Sequence, residues 1–399
     1  MRTLLGAILL ALSSPAAAAK EGIDLVRLER LRTFVEQEIA SERMAGAVML
    51  VAHRGRVVYQ EAVGMADREE GRTLDRDAIF RIRSMTKPIV SLAVLLLHEE
   101  GRFLLDDPVA KFLPELANPR VAAPHGGSEP AERPITIKDL LTHRAGLTYA
   151  FINRGPVGEL YRSANLGEVE TARDLVRKLA ELPLVHQPGT TFEYSHATDV
   201  LGVLVEVVSG KSLDLFLRER ILEPLGMKDT DFYLPEEKAE RLVTLYRREE
   251  GKALQPVETG RESRVVRGPK TLFAGGGGLV STAGDYSRFL QLLLNGGELD
   301  GVRIVSPKTV ELMTADHVGR EIPVHPGYGF GLGFAVRQEI GRGNTLGSRG
   351  EYNWGGIDNT EFFVDPEESL LVVFCTNVSP YDMHRKWYLK TLVYQALVE

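Results

Sequence analysis

Ser84 and Lys87 are the first residues whose types and spacing indicate chemistry. They stand three positions apart in Ser84-Met-Thr-Lys87, just before an apolar run that predicts a buried helix over Ile89–Leu97. Residues i and i+3 share one face of a helix, so the Lys87 ammonium group can reach the Ser84 hydroxyl. The positive end of the helix dipole favours a developing alkoxide there, and a buried lysine can act as a general base. The pair is therefore a candidate nucleophile and base.

The same four residues also have a purely structural interpretation. A Ser-x-x-Lys sequence occurs about once by chance in a chain of this length. Pro88 places the start of the helix close to Ser84, because proline is tolerated only in the first helical turn. Other residues must decide between a catalytic pair and an ordinary helix start.

Two later segments supply such residues. Tyr194 stands after a Pro-Gly turn and before an apolar helix pattern, and a phenol at a helix entrance can relay protons in a crevice. A buried core tyrosine is the alternative. Trp354-Gly355-Gly356 comes before a predicted strand, where two glycines mark either a bulge or the close approach of a ligand to the backbone.

Together these segments resemble a known superfamily. Ser84-x-x-Lys87, Tyr194-Ser195 and Trp354-Gly-Gly occur in the order and spacing of the serine β-lactamases and penicillin-binding proteins. The Trp-Gly-Gly element is similar in particular to that of the family VIII carboxylesterases, which share the class C β-lactamase fold. The resemblance implies an α/β (α+β) fold of the β-lactamase/transpeptidase type, with a mainly antiparallel sheet flanked by helices and an inserted helical subdomain.

The resemblance also implies roles for individual residues. Ser84 matches the nucleophile, Lys87 the general base, and Tyr194 the residue that helps to activate the serine and protonates the leaving group. Which of Lys87 and Tyr194 takes the first proton stays open. The backbone N–H groups of Ser84 and Ile357 match the oxyanion hole, whose donors typically contribute on the order of 3 kcal/mol each. The substrate-binding residues expected from the resemblance are Trp354, Gly355, Gly356 and His196.

Two positions depart from the β-lactamase pattern. Trp354 stands where β-lactamases and D-Ala-D-Ala peptidases usually carry a lysine that pairs with a substrate carboxylate. A tryptophan offers an apolar wall instead, which suits an uncharged ester. His196 replaces a frequent asparagine, which leaves recognition of an acyl-side amide open.

The elements that must position these residues come in the order helix and strands, a long helical block, then strands and a last helix. The simplest architecture is one sheet built from about residues 20–100 and 271–399, with a mostly helical insert over about residues 101–270. Within the insert, Val121–Pro134 and Asn153–Asn165 are expected to be loops. The site should lie in the crevice between the sheet and the insert.

Composition limits the partners. The 399 residues include 48 Lys plus Arg against 55 Asp plus Glu, a formal net charge of −7, which argues against nucleic acid. The single Cys375 excludes an intrachain disulfide, and the histidines show no metal-binding spacing, so neither metal nor cofactor is expected. Arg2 and the apolar run Leu4–Leu12 predict a signal peptide over residues 1–19, followed by one hydrolase domain over residues 20–399. We therefore expect a periplasmic or secreted protein without a membrane span.

The sequence thus predicts a secreted serine hydrolase that cleaves carboxylic esters through a Ser84 acyl-enzyme. A β-lactamase or D-Ala-D-Ala carboxypeptidase is the alternative among enzymes, and acyl transfer to an acceptor other than water is a further variant. A non-catalytic protein that binds cell-wall fragments is the alternative from another class. The expected partner is a small-molecule ester or β-lactam substrate, and the oligomeric state is open.

Overall fold

The computed structural model describes residues 22–319 and 324–399. The predicted signal peptide, residues 1–19, lies outside the described residues and stays a prediction.

The strands are β1 (Gly46–His53), β2 (Arg56–Asp67), β3 (Arg72–Thr73), β4 (Phe80–Arg81), β5 (Arg120–Ala122), β6 (Ser128–Pro130), β7 (Leu245–Arg247), β8 (Gln255–Glu258), β9 (Val280–Ser281), β10 (Glu298–Leu299), β11 (Val302–Arg303), β12 (Tyr328–Phe330), β13 (Ala335–Arg337), β14 (Tyr352–Gly355), β15 (Glu361–Asp365), β16 (Leu370–Cys375) and β17 (Val378–Ser379). The α-helices are α1 (Leu25–Ala40), α2 (Thr86–Glu99), α3 (Ile137–Leu141), α4 (Pro156–Ser163), α5 (Ala172–Ala180), α6 (Ala197–Ser209), α7 (Leu213–Leu217), α8 (Arg264–Arg267), α9 (Ala283–Leu294), α10 (Pro307–Thr314) and α11 (Met383–Tyr394).

One large sheet draws on both ends of the chain. Its strand order is β12-β13-β14-β15-β16-β1-β2-β3, and every neighbouring pair is antiparallel. The central pair aligns β1 with β16, from Val48 opposite Cys375 to His53 opposite Leu370. The predicted mixed fold, a mainly antiparallel sheet flanked by helices, is confirmed.

The sheet is buried on both faces, and its central strands β1 and β16 are apolar at nearly every position. Along β1, Val48 and Leu50 face one core, which they share with α2 and α9. The alternate residues Met49 and Val51 face a second core, which is closed by α1 and α11. Successive side chains of a strand point to opposite faces, so an unbroken apolar run fits a sheet covered by helices on both sides.

Helix α2 lies in the centre of the larger core. All its residues from Thr86 to Leu97 are buried, and the helix packs against α6 and α7 of the insert. The helix predicted over Ile89–Leu97 is therefore confirmed, and it begins three residues earlier. A short 3₁₀ helix, Arg83–Met85, leads directly into it.

The segment between the two parts of the sheet carries α3 to α8 and two short hairpins. Both stretches that were expected to be loops contain regular structure, so those expectations were wrong. Val121–Pro134 includes most of the β5–β6 hairpin, and Asn153–Asn165 includes α4. Gly155 and Pro156 begin α4, with the proline at a first-turn position where it costs no hydrogen bond. No described helix is both long and apolar enough to cross a bilayer.

Candidate active site

Ser84 lies in the 3₁₀ turn that precedes α2. The residue before it, Arg83, has a left-handed backbone with φ of 49°. This turn leaves Ser84 half-buried, at the wall of a cavity of about 680 Å³. The Ser84 N–H is in the first turn of a helix, where N–H groups have no helical acceptor.

Lys87 is fully buried one turn after Ser84. Its Nζ donates to three oxygens: Ser84 Oγ at 3.3 Å, the Tyr149 hydroxyl at 3.1 Å and the Gly276 carbonyl at 2.6 Å. Three acceptors satisfy the three donors of an ammonium group. The predicted contact between the lysine and the serine hydroxyl is therefore present, and two further groups fix the direction of the lysine side chain.

Tyr194 faces Lys87 from the start of the segment that leads into α6. The Lys87 Nζ lies 4.7 Å from the centre of the Tyr194 ring. Three other rings contact Tyr194, with centroid distances of 4.8 Å to His143 and 5.3 Å to both Tyr149 and Trp354. The tyrosine thus lies half-buried in the wall of the Ser84 cavity, between the lysine and the predicted substrate-binding strand.

Tyr149 belongs to this cluster although no sequence motif marks it. Desolvation raises the pKa of the Tyr149 phenol well above its ordinary value, and the nearby Asp199 and Tyr194 add to the effect. A phenol held in its protonated form accepts a hydrogen bond from Lys87 through its lone pairs. The only signal for it in the sequence was its position, three residues after the turn at Gly146, and that position carries no motif of its own.

His196 and Asp199 form a pair beside Tyr149. The His196 ring lies 4.2 Å from the Tyr149 ring, and its Nδ1 is 2.9 Å from Asp199 Oδ2. Burial would raise the pKa of Asp199. The hydrogen bond and charge of His196, with the charge of Lys87 and the Gly276 N–H, outweigh burial and hold it below the ordinary value. His196 does not line the Ser84 cavity formed by the described residues. Its predicted role in substrate binding stays a prediction.

Trp354 and Gly355 are the last two residues of β14, and Gly356 lies in the turn that leads to β15, so the segment does come before a strand as predicted. Gly356 lies against the turn that holds Ser84. A Cβ at position 356 would come within 2.6 Å of the Ile82 carbonyl oxygen, so only glycine fits without a shift. Thr360 Oγ1 donates to the same carbonyl at 3.1 Å. The second glycine therefore serves close packing of two backbone segments.

The two backbone N–H groups expected to form an oxyanion hole lie on these joined segments. Ser84 and Ile357 both line the cavity. An ion pair between Arg83 and Asp358, the neighbours of these two residues, ties the segments together. The arrangement can hold two N–H donors in fixed positions beside a nucleophile, which is what stabilisation of a tetrahedral oxyanion requires.

Six of the predicted site residues line one cavity: Ser84, Tyr194, Trp354, Gly355, Gly356 and Ile357. Lys87 lies beneath Ser84, fully buried. A hydroxyl contacted by a buried lysine, at the wall of a cavity with two candidate oxyanion donors, is suited to acyl transfer through a covalent intermediate.

The fold and this serine–lysine pair define a serine hydrolase of the β-lactamase type. The chain belongs to the Beta-lactamase family, whose model matches residues 31–395. It is 34% identical over 371 residues to esterase EstB of Burkholderia gladioli, covering 88% of this chain and 90% of that protein. It is 37% identical over 352 residues to protein Rv1367c of Mycobacterium tuberculosis (strain ATCC 25618 / H37Rv), covering 84% and 86%.

A solved structure shows a similar likeness to a hydrolase. The structure of EstCE1, a hydrolase with promiscuous acyltransferase activity, matches with a TM-score of 0.79 at 30% identity. The match covers 93% of this chain and 98% of that one. The predicted membership of the serine β-lactamase and penicillin-binding-protein superfamily, with affinity to the family VIII esterases, is confirmed.

Proposed function

We propose that the protein hydrolyses carboxylic esters through an acyl-enzyme on Ser84. The observation that carries this proposal is the 3.3 Å contact between Lys87 Nζ and Ser84 Oγ at the wall of a 680 Å³ cavity. A cavity of that size accommodates a drug-sized molecule. The names of two relatives, an esterase and a hydrolase with acyltransferase activity, support an ester as the substrate.

In this proposal Lys87 reacts as the neutral amine, with its two N–H groups donated to Tyr149 and Gly276 and its lone pair directed at Ser84. It takes the proton of Ser84 as the serine oxygen attacks the ester carbonyl. The N–H groups of Ser84 and Ile357 stabilise the oxyanion of the tetrahedral intermediate. The C–O bond to the alcohol then breaks, and Tyr194, facing Lys87, gives its phenol proton to the departing oxygen. Lys87 passes the proton taken from Ser84 to Tyr194, which restores the neutral amine and the phenol. Water attacks the acyl-enzyme in the same way, with the proton passing back to Ser84, and releases the acid.

The predicted signal peptide extends this proposal to the compartment in which the protein acts. Arg2, the apolar run Leu4–Leu12 and the small residues before position 20 support export from the cytoplasm. We propose that the protein acts in the periplasm or outside the cell. Expression of the full chain with fractionation, followed by N-terminal sequencing of the exported form, tests this: a mature chain that begins near residue 20 is expected, and an uncleaved cytoplasmic chain contradicts it.

Substitution of Ser84 tests the mechanism directly. Ser84→Ala is expected to abolish hydrolysis of p-nitrophenyl butyrate and labelling by a fluorophosphonate probe, with an unchanged circular dichroism spectrum. Ser163→Ala is the matched control, since it makes the same change at an exposed serine at the end of α4. Mapping of the label by peptide mass spectrometry to a serine other than Ser84 would overturn the assignment.

A further inference from the structure

Three cations line the cavity that opens at Ser84. They are Arg247 at the end of β7, the adjacent Arg248, and Lys386 on α11. Within the described parts of the chain, the residues that line this cavity include no aspartate or glutamate. The cavity wall is therefore positively charged on the side that these residues form.

The three cations belong to one continuous piece of structure. Strand β7 pairs in parallel with β17, and the Arg248 N–H donates to the Ser379 carbonyl at 2.7 Å. The chain continues from Ser379 through Pro380 and Tyr381, which also line the cavity, into α11. Arginine and lysine side chains from two distant parts of the sequence are thus brought to one wall.

Carboxylates partly balance two of these charges from outside the cavity lining. Lys386 Nζ is 3.3 Å from Glu361 Oε2, and both side chains are nearly buried. Arg248 lies farther from its partner, 3.8 Å from Asp382 Oδ2. Two of the cations are therefore positioned by anions, and each keeps N–H groups for a further acceptor.

The third cation, Arg247, makes no ion pair with a described carboxylate, although its charge acts on Glu249 at longer range. Its side chain is exposed, and no carboxylate of residues 22–319 or 324–399 lies within 4.0 Å of its guanidinium. Glu249, close in sequence, is paired with Lys252 at 2.6 Å instead. An arginine at the wall of a cavity that makes no ion pair within residues 22–319 and 324–399 presents a planar set of donors that fits a carboxylate.

Much of the remaining cavity wall is apolar. Phe151, Ile152 and Ile357 are each about half exposed at its wall, with exposed fractions of 55%, 43% and 45%. Trp354 adds the indole face that the sequence analysis took as a reason to expect an uncharged ester. The expectation of an uncharged ester rested on Trp354 alone, because the three cations come from segments that carry no sequence motif.

We propose that the cavity selects esters that carry a carboxylate, which binds at Arg247, Arg248 and Lys386 while the apolar part of the substrate contacts the apolar residues of the cavity wall. This inference rests on the proposed ester hydrolysis at Ser84. It makes the substrate an amphipathic acid ester, with the scissile carbonyl at Ser84 and the anionic end on the cationic wall. The positive charge of this wall also raises the local concentration of anionic substrate, an effect that salt weakens.

Matched pairs of esters test the inference on the full-length enzyme. In the first pair the acyl group carries the charge: the p-nitrophenyl monoester of glutaric acid is compared with p-nitrophenyl valerate. In the second the leaving group carries it: p-acetoxybenzoate is compared with phenyl acetate. At low salt the ratio of kcat/KM, anionic over uncharged, is expected to be above one in at least one pair, and to fall when NaCl is raised from about 0.05 M to about 0.5 M.

The variant Arg247→Gln/Arg248→Gln then tests the wall itself. The ratio for the preferred pair is expected to fall about fivefold, the scale of a partly exposed ion pair. Lys308→Gln is the control, because it removes one positive charge from a strongly exposed side chain outside the cavity, and it should keep the wild-type ratio. Arg247→Glu, which reverses the charge at an exposed position, should lower the ratio further.

The outcomes are distinguishable from those for the proposed function. A ratio at or below one in both pairs, or a ratio that the arginine variants and salt leave unchanged, overturns the inference while hydrolysis of the uncharged esters upholds the esterase. Absence of hydrolysis of all four esters by an enzyme that is labelled at Ser84 overturns the proposed function instead.

Discussion

Asp199 and Lys87 are joined through one residue, Gly276. The Gly276 N–H donates to Asp199 Oδ1 at 2.8 Å, and its carbonyl accepts from Lys87 Nζ at 2.6 Å. A Cβ at position 276 would lie 2.6 Å from Asp199, so the glycine permits this close approach. The buried carboxylate therefore fixes the carbonyl that directs the lysine toward Ser84.

Loss of the Asp199 charge should misplace the lysine without removing it. Asp199→Asn keeps an oxygen for the Gly276 N–H but weakens the contact with His196 and the attraction to Lys87. We expect kcat for p-nitrophenyl butyrate to fall by about tenfold to a hundredfold, the scale of a small misplacement of a reacting group, with little change in KM. Asp214→Asn, the same change in α7 outside the cavity, should leave kcat unaltered. An unchanged kcat in Asp199→Asn would remove Asp199 from the positioning of Lys87.

Tyr149 should act as an acceptor for Lys87 and not as a base. Its raised pKa keeps the phenol protonated at neutral pH, and its oxygen lies 3.1 Å from Lys87 Nζ. Tyr149→Phe removes this acceptor, so kcat is expected to fall about tenfold, the scale of one hydrogen bond to a charged group. Tyr388→Phe, at an exposed tyrosine of α11, is the control.

The variants Lys87→Ala and Tyr194→Phe should each lower kcat by orders of magnitude. Because the two residues act on the same proton transfers, the double variant should lose far less than the product of the two losses. Steady-state kinetics of the three variants with p-nitrophenyl butyrate measures this. Losses that multiply in the double variant would show that Tyr194 acts independently of Lys87. Near-wild-type activity in Tyr194→Phe would show that Tyr194 takes no part in the reaction.

His143 should make the free energy of unfolding of the protein depend on pH. His143 is buried, with Nδ1 3.2 Å from Ser195 Oγ, and burial together with the charge of Lys87 holds its pKa well below 6.5. The unfolded chain takes up a proton below pH 6.5 while folded His143 stays neutral. Its contribution to stability is therefore present above that pH and is lost as the pH falls below it.

Urea unfolding of the wild type and His143→Gln between pH 8 and pH 5.5 measures this loss. The free energy of unfolding of the wild type should decrease more steeply below pH 6.5, by up to about 1.4 kcal/mol per pH unit for one proton. His317 and His325 also have lowered pKa values, chiefly through burial, but they are present in both proteins and cancel in the difference. Parallel curves would contradict the role of His143.

The parts of the site that the sequence predicts are those set by local spacing. Ser84 and Lys87 share a helix face, and the Trp-Gly-Gly segment lies within one strand and its turn. Tyr149 and Gly276 reach Lys87 from 62 and 189 positions away, so only the tertiary fold brings them there. The centre of the sheet was predictable because β1 and β16 are nearly continuous apolar runs, whereas α4 was missed because its opening Gly155-Pro156 is equally typical of a loop.

Trp354 should decide between esters and β-lactams. The indole lies half-buried with its ring 5.3 Å from both Tyr194 and Phe330, and it supplies no cation beside Ser84. The cations of the cavity lie at the end of β7 and on α11 and not at position 354, so the wild type is expected to hydrolyse p-nitrophenyl butyrate with a higher kcat/KM than nitrocefin. Trp354→Lys should shift the ratio toward nitrocefin by about tenfold, because a lysine can pair with the β-lactam carboxylate.

The same substitution should weaken the binding of uncharged esters, since it places an ammonium group without a partner among aromatic rings. Trp354→Phe is the matched control: it keeps the apolar wall and should keep the wild-type ratio of butyrate to nitrocefin hydrolysis. Both substrates are measured on all three proteins, with labelling of Ser84 used to count active sites. If the wild type hydrolyses nitrocefin better than the butyrate ester, the esterase proposal is wrong and the β-lactamase alternative replaces it.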